Sequence, residues 1–364
     1  MILRYQNIWN LFKDFKIINT LSFILFIFVH LNTSADEYYW VGGGGLWSDI
    51  NHWATTSGGS VLHIQAPTAV NNVIFDENSF SSPDQIVIIN LKNAVCKDMK
   101  WLNVINNPAV TGTDTTSLRI YGSLQLDTEM TFDYQQTIYF ESVSSGKIIS
   151  TAGHMLECNL VFQGAGGGWI FQDDINAANH SVTLLRGTLS TAGNNLTCSI
   201  FSSFSNEPRV IILGTSEIVV NSWQINGDNL QLEASESNFL VGNMLQNQNG
   251  ERLEYNNVNF WGSTASLLNN NVKGVFKNVS FENGLVAGDI VIDKLLFSES
   301  AQISGNDSIR YLKIADSGLI SEGTSVIQYL ECGNFFTING NHQIDTLLIA
   351  GAAEINGSNT IGLA

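Results

Sequence analysis

The sequence predicts an all-β fold, a parallel β-helix (β-solenoid) with coils of about 17–21 residues and an N-terminal Trp/Gly-rich cap. Three observations predict it. Apolar residues recur at a short interval late in the chain, charged residues make up only 13% of the composition, and strand-forming residues are frequent beside Gly, Asn and Ser. A repeat this short has no room for both a helix and a strand, so each repeat must consist of strands and turns.

The repeat is clearest after residue 293. Isoleucine, leucine and glycine recur at fixed offsets, and turns such as INGN and INGS separate the apolar stretches. Stacked coils place equivalent residues about 4.8 Å apart, so like residues should form columns. The predicted columns are Ile303, Ile320, Ile338 and Ile355; Ile309, Ile327, Ile344 and Ile361; Leu295, Leu312, Leu330 and Leu347; Phe297, Ile314, Cys332 and Ile349; with the recurring glycines Gly305, Gly323, Gly340 and Gly357.

An earlier pair of segments extends the repeat toward the N-terminus. STAGHMLECNL (150–160) and STAGNNLTCSI (190–200) match at an offset of about 40 residues, which we interpret as two coils of about 20 residues. We therefore expect the solenoid to occupy residues 117–364. The sequence stops in mid-repeat without a polar closing coil, which predicts a truncated solenoid, because solenoid ends are normally covered.

Residues 1–35 are predicted to be a signal peptide. Lys13 and Lys16 precede the apolar run LSFILFIFVHL (21–31), and small residues before Asp36 suit a signal peptidase. The run is shorter than the about 20 residues that a membrane-spanning helix needs. The prediction is a secreted or cell-surface protein with no membrane insertion after signal removal; an uncleaved N-terminal anchor is the alternative.

Residues 36–116 are predicted to form the N-terminal cap and the first strands. The stretch WVGGGGLWSDINHW places Trp40, Trp47 and Trp53 around four consecutive glycines. Glycine permits the tight backbone of a lid, and the indole rings would cover the open end of the core with their N–H groups toward water or turn carbonyls. Carbohydrate contact by the same three rings is the alternative, because exposed aromatic rings stack on sugars.

The same stretch resembles known surface proteins. WVGGGGLWSDINHW followed by APTAVNNVIF is similar to the opening of bacterial autotransporter passengers and related surface β-helices. With VCKDMKW, GSLQL and FQGAGGGW downstream, residues 38–200 resemble the N-terminal region of large secreted, adhesin-like proteins of the Bacteroidetes, which carry gliding-associated or type IX secretion sorting domains at their far C-terminus. The resemblance implies an exported β-helix with an adhesive or structural role, and it supplies no catalytic residues.

The charge balance of the chain is acidic. It has 16 Lys+Arg against 33 Asp+Glu, a formal net charge of −17, and no basic run follows the signal peptide. Nucleic acid and anionic lipid surfaces are therefore not expected partners. Glycans of a cell surface or of the environment are compatible with this charge.

Asp173, Asp174 and Arg186 are the best candidates for an enzyme site. β-Helices that cleave acidic polysaccharides use carboxylates as acid–base groups or calcium ligands, beside a basic residue. The two aspartates are adjacent, so on a strand their side chains would point to opposite faces, which weakens a paired-carboxylate site. We therefore predict a non-enzymatic structural or adhesin-like β-solenoid, the stalk or binding module of a larger surface protein. A polysaccharide-active lyase or glycoside hydrolase is the alternative.

The motifs do not support other chemistry. The glycine runs lack the dinucleotide and P-loop fingerprints, the histidines are scattered, and no C-x-x-C pair occurs. We therefore predict no cofactor, and calcium at turn carboxylates such as Asp307 or Asp345 is the alternative. Cysteine packs as a small apolar residue. Core positions are therefore predicted for Cys96, Cys158, Cys198 and Cys332.

Overall fold

The computed structural model describes residues 35–363, so the signal-peptide prediction lies outside the described residues apart from Ala35. From Glu37 onward the chain forms one compact unit. Its regular structure consists of strands and a single 3₁₀ turn, Ile50–His52, and it confirms the predicted parallel β-solenoid.

The first half of the unit contains short strands that are separated by turns. They are β1 (Glu37–Trp40), β2 (Gly45–Leu46), β3 (Trp53–Ala54), β4 (Asn72–Asp76), β5 (Ile86–Ile89), β6 (Ala94–Cys96), β7 (Met99–Leu102), β8 (Ala109–Gly112), β9 (Leu118–Ile120), β10 (Leu124–Gln125), β11 (Thr131–Asp133), β12 (Ile138–Phe140), β13 (Lys147–Ser150), β14 (Leu160–Phe162), β15 (Gly168–Phe171), β16 (Ile175–Leu184) and β17 (Gly187–Ser190).

The second half contains longer strands, several of which turn a corner of the solenoid at a bulge. They are β18 (Leu196–Ser203), β19 (Arg209–Ile212), β20 (Glu217–Asn226), β21 (Leu230–Gln248), β22 (Arg252–Phe260), β23 (Ala265–Phe281), β24 (Gly284–Phe297), β25 (Ala301–Gly305), β26 (Ser308–Ile314), β27 (Gly318–Ser321), β28 (Val326–Cys332), β29 (Phe335–Gly340), β30 (Gln343–Ile349), β31 (Ala352–Gly357) and β32 (Thr360–Leu363).

The early coils have three faces. The first face stacks β1, β4, β7, β10 and β13 in parallel. The second stacks β2, β5, β8 and β11, and the third stacks β6, β9, β12 and β14. Parallel stacking therefore begins at Glu37, inside the segment that was expected to supply the cap and the first strands. Only β3 departs from the pattern among these early strands, pairing antiparallel with β1.

Coil length changes along the chain. Val73, Met99, Leu124 and Ile149 follow one another in register on the first face, so each early coil takes about 25 residues. Ile292, Ile309, Ile327 and Ile344 follow one another in the same way, so each late coil takes about 17 residues. The predicted coil length therefore holds for the late coils. The early coils are longer because each builds a separate strand on a third face.

The predicted columns are confirmed. Ile303, Ile320, Ile338 and Ile355 pair in register, as do the three other apolar columns that were predicted after residue 293. Ile303, Ile320 and Ile338 are fully buried, whereas Ile355 is exposed, and full burial of such a side chain contributes about 1.5–3 kcal/mol relative to exposure. The matching STAG segments also lie two coils apart, because they follow β13 and β17, which both pair with β15.

Glycine is required at one turn of the late coils. Gly305 has φ +123°, which L side chains rarely adopt, and a Cβ on it would lie 2.1 Å from the carbonyl oxygen of Gly288 in the preceding coil. Gly323 and Gly357 repeat this approach to Gly305 and Gly340. The glycine column therefore records a turn in which successive backbones lie too close for any side chain.

We expect Gly305→Ala to destabilise the fold by about 3 kcal/mol, because the change combines an unfavourable φ with a steric clash against backbone. Gly146→Ala is the matched control, since Gly146 also has a positive φ, +75°, but nothing lies within 4 Å of an added Cβ. Its expected cost is about 1 kcal/mol. Urea unfolding midpoints measure both variants, and equal midpoints would contradict the steric argument.

Candidate functional site

The three predicted cap tryptophans form one cluster at the first coil. The ring centroid of Trp53 lies 4.9 Å from that of Trp40 and 5.0 Å from that of Trp47, in edge-to-face geometry. All three side chains are fully buried. The alternative of carbohydrate contact by these rings is therefore wrong for this structure, because no ring face is open to a sugar. The geometry fits the cap.

The indole N–H groups of the cluster follow the expectation in part. Trp40 Nε1 donates to the carbonyl of Gly43 at 2.5 Å, and Trp53 Nε1 donates to the carbonyl of Trp47 at 2.9 Å. Trp47 Nε1 is buried without a partner. His52 also packs on the cluster, with its ring stacked 4.4 Å from that of Trp40. Sequence reasoning assigned no role to this histidine, and its proximity to the tryptophans was the available signal.

Asp173 ties two coils together. It lies in the turn before β16, and its carboxylate accepts hydrogen bonds from the backbone amides of Thr151 and Ala152, each at 2.8 Å. It also accepts from the hydroxyl of Ser150 at 2.8 Å. These donors belong to the preceding coil, so the Asp173 carboxylate is used to fix the turn of that coil.

Asp174 and Arg186 do not complete a catalytic group with Asp173. Asp174 accepts from the backbone amide of Asn195, in the following coil, at 2.7 Å. Arg186 follows the end of β16, so this whole strand separates it from both aspartates. The two aspartates were expected to lie on a strand and to point to its opposite faces. That expectation was wrong, because they lie in a turn. Asp173 bonds to the preceding coil and Asp174 bonds to the following coil.

Asp307 differs from the surface turn carboxylate that was considered for calcium. Its side chain is buried, and neither carboxylate oxygen has a hydrogen-bond partner. Burial, followed by the nearby charge of Asp289, raises the pKa of Asp307 to about 8. The Ser325 hydroxyl and the Ile290 amide lie close enough to the carboxylate to favour its charged form, but neither makes a well-formed hydrogen bond to it, so they do not offset burial. Among residues 35–363, no group of three or more His, Cys, Asp or Glu side chains is placed to hold a metal ion.

Arg209 is a buried cation that sequence reasoning missed. Its guanidinium donates to the carbonyls of Ser203, Glu207, Asn226 and Asp228, and also to the hydroxyl of Ser203. Burial lowers the pKa of Arg209 from its usual value. The side chain therefore holds a corner of the solenoid and has no donor directed to solvent.

The cysteines occupy core positions. All four are free and buried. Burial raises the pKa of Cys158 and that of Cys198 to about 12 each. A thiol in this state is a poor nucleophile and a poor metal ligand, so these residues act as packing groups.

A groove runs along the start of five late strands, β23, β24, β25, β27 and β29. Its volume is about 880 Å³. None of the described residues that line it is charged, and its floor includes the apolar side chains of Leu285 and Leu319. The lining residues are Ser263, Thr264, Ala265, Ser266, Asn283, Gly284, Leu285, Ser300, Ala301, Gln302, Ser317, Gly318, Leu319, Phe335, Thr337 and Asn339. We call it the uncharged groove.

A second groove, of about 740 Å³, lies beside Arg209 and Asp228. Arg209 is already fully bonded there, so the uncharged groove is the stronger candidate for a ligand. No helix within the described range 35–363 has the length and apolar character to span a bilayer.

Comparisons with known proteins add no relative. No family model matches the chain, and no match to it was found among curated proteins or solved structures. The architecture itself defines the class, an all-β parallel β-solenoid.

Proposed function

We propose that the chain is a structural or adhesive β-solenoid, the stalk or binding module of an exported surface protein, and that it carries out no catalysis. One observation carries the proposal. The coils stack from β1 to β32, and the carboxylates that were candidates for catalysis bond to neighbouring coils. Export is supported by Lys13 and Lys16 before the apolar run of residues 21–31.

Polar side chains elsewhere support the same role. Asn257 Nδ2 donates to Asn238 at 2.7 Å, and Asn278 Nδ2 donates to Asn257 at 2.7 Å, which forms an amide column across three coils. Such columns stiffen a stack of coils, because every amide that bonds to the next coil opposes their separation. A stiff stack of coils suits the stalk of a surface protein.

The proposal is tested by expression of the full-length chain in a bacterial host. We expect the protein outside the cytoplasm with an N-terminus near Asp36, as mass spectrometry would show. Beads coated with this protein should attach to glycan or protein surfaces, and no new reducing ends should form in the same wells. Retention in the cytoplasm would overturn export. Failure to attach to any surface would overturn the adhesive role, and release of reducing ends would overturn the absence of catalysis.

A further inference from the structure

The uncharged groove presents one row of outward side chains from successive coils. Ser266, Leu285, Gln302, Leu319 and Thr337 are neighbours in register on five adjacent strands. Adjacent parallel strands lie about 4.8 Å apart, so the row extends for about 19 Å along the solenoid axis. The row alternates apolar and polar side chains, which suits a ligand with both kinds of surface.

Small residues that face the core alternate with this outward row. Ala265, Gly284, Ala301 and Gly318 are in register, and a Cβ on Gly284 or Gly318 would lie within 3 Å of the Phe281 or Phe336 ring, respectively. The backbone therefore packs directly against core rings at this edge of the sheet.

Polar groups in the groove are free to bind a ligand. Within the described residues, the side chains of Gln302, Ser317 and Thr337 make no hydrogen bond to the protein. This contrasts with the amide column of Asn257, whose groups are used between coils. Amides and hydroxyls are the neutral donors and acceptors that bind hydroxyl groups.

Phe335 lies at the C-terminal end of the groove with 45% of its surface exposed. An exposed aromatic ring beside free amides and hydroxyls matches a sugar, which has an apolar ring face and a rim of hydroxyls. The absence of charge in the lining of a protein with net charge −17 excludes attraction of an anionic polymer. The same net charge opposes a second copy of this chain as the occupant.

We propose that the uncharged groove binds a neutral polysaccharide chain lying along the solenoid axis. This inference rests on the proposed adhesive function and adds the ligand class and the residues that contact it. Phe335 supplies a stacking surface, Leu285 and Leu319 contact the apolar faces of the sugar rings, and Gln302 and Thr337 bond their hydroxyl groups.

The test is electrophoresis of the full chain in native gels that contain soluble xylan, glucomannan or mixed-linkage glucan, with polygalacturonate and alginate as acidic probes. We expect retardation by at least one neutral polymer and by neither acidic polymer. Phe335→Ala should weaken retardation at least about tenfold, as expected for loss of an aromatic stacking contact, and Leu319→Lys should abolish it. Phe204→Ala and Val326→Lys are matched controls, because both residues are exposed outside the groove.

The outcomes separate the groove from the adhesive role. Retardation that survives Leu319→Lys would overturn the groove and leave the adhesive role intact. Absence of retardation by all neutral polymers would overturn the inference, while the bead assay decides the adhesive role independently. Self-association that Leu319→Lys abolishes would overturn the inference in favour of an interface between copies. Unfolding midpoints of all four variants identify any loss that comes from misfolding.

Discussion

Asp307→Asn will raise the free energy of unfolding at pH 9 by up to about 5 kcal/mol and will change it little near pH 4. The reason is the buried, unpartnered carboxyl group of Asp307, whose pKa is about 8 in the folded protein. Asparagine has nearly the same shape and carries no charge at any pH, so it removes the cost of burying a carboxylate.

The sign follows from the protons bound in each state. The folded protein holds the Asp307 proton up to about pH 8, whereas the unfolded chain releases it near its ordinary value. Between about pH 4 and pH 8 the unfolded state therefore becomes progressively favoured, and stability falls as the pH rises. Above this window both states are ionised, and the destabilisation no longer grows.

The measurement is the urea midpoint of both proteins at several pH values between 4 and 9. The difference between the two curves isolates Asp307, because all other groups titrate in both proteins. Asp345→Asn is the control, since it removes the charge of an exposed aspartate whose carboxylate accepts from Gln343 at 3.0 Å. Parallel curves for the wild type and Asp307→Asn would show that this carboxyl group has no raised pKa.

Arg209→Met will destabilise the protein by about 3–5 kcal/mol, because it leaves buried acceptors without their donor. The carbonyls of Ser203 and Asn226 accept buried hydrogen bonds from this guanidinium, and that of Asp228 accepts a partly buried one. Methionine fills much of the same volume, so the loss measures the hydrogen bonds more than a cavity. Arg209→Lys should recover only part of the stability, because an ammonium cannot reproduce the planar fork of donors.

Arg252→Met is the matched control for Arg209. Arg252 also lies near this corner, but its side chain is half exposed and forms an ion pair with Glu254. Such surface pairs contribute about 0–1 kcal/mol. Hydrogen exchange of the β17, β19 and β21 amides, together with the urea midpoint, should show local loss of protection for Arg209→Met alone. Equal protection in the two variants would contradict the structural role of Arg209.

The late coils were predictable because their repeat is strict. A nearly constant step places isoleucine on isoleucine, so the columns can be counted in the sequence and the structure confirms them. The early coils could not be counted in this way, because a longer coil with three faces has turns of varied sequence. Only the STAG segments, which follow β13 and β17, revealed part of that region.

The candidate site was less predictable than the fold. The acceptors of Arg209 are backbone carbonyls, which are present at every residue and leave no mark in the sequence. Leu285 and Leu319 occupy alternate positions of ordinary strands, and only the register of several coils shows that they share one surface. The tryptophans could be assigned to a cap over the open end of the core, but the rings that they contact there are known only from the structure.

The change in coil length also determines how much each residue adds to the length of the solenoid along its axis. Every coil advances the stack by about 4.8 Å, whatever its circumference. The long coil from Met99 to Leu124 therefore has an axial rise of about 0.19 Å per residue, and the short coil from Ile327 to Ile344 has an axial rise of about 0.28 Å per residue. Duplication of a late coil would lengthen the protein with about two thirds of the amino acids that an early coil needs.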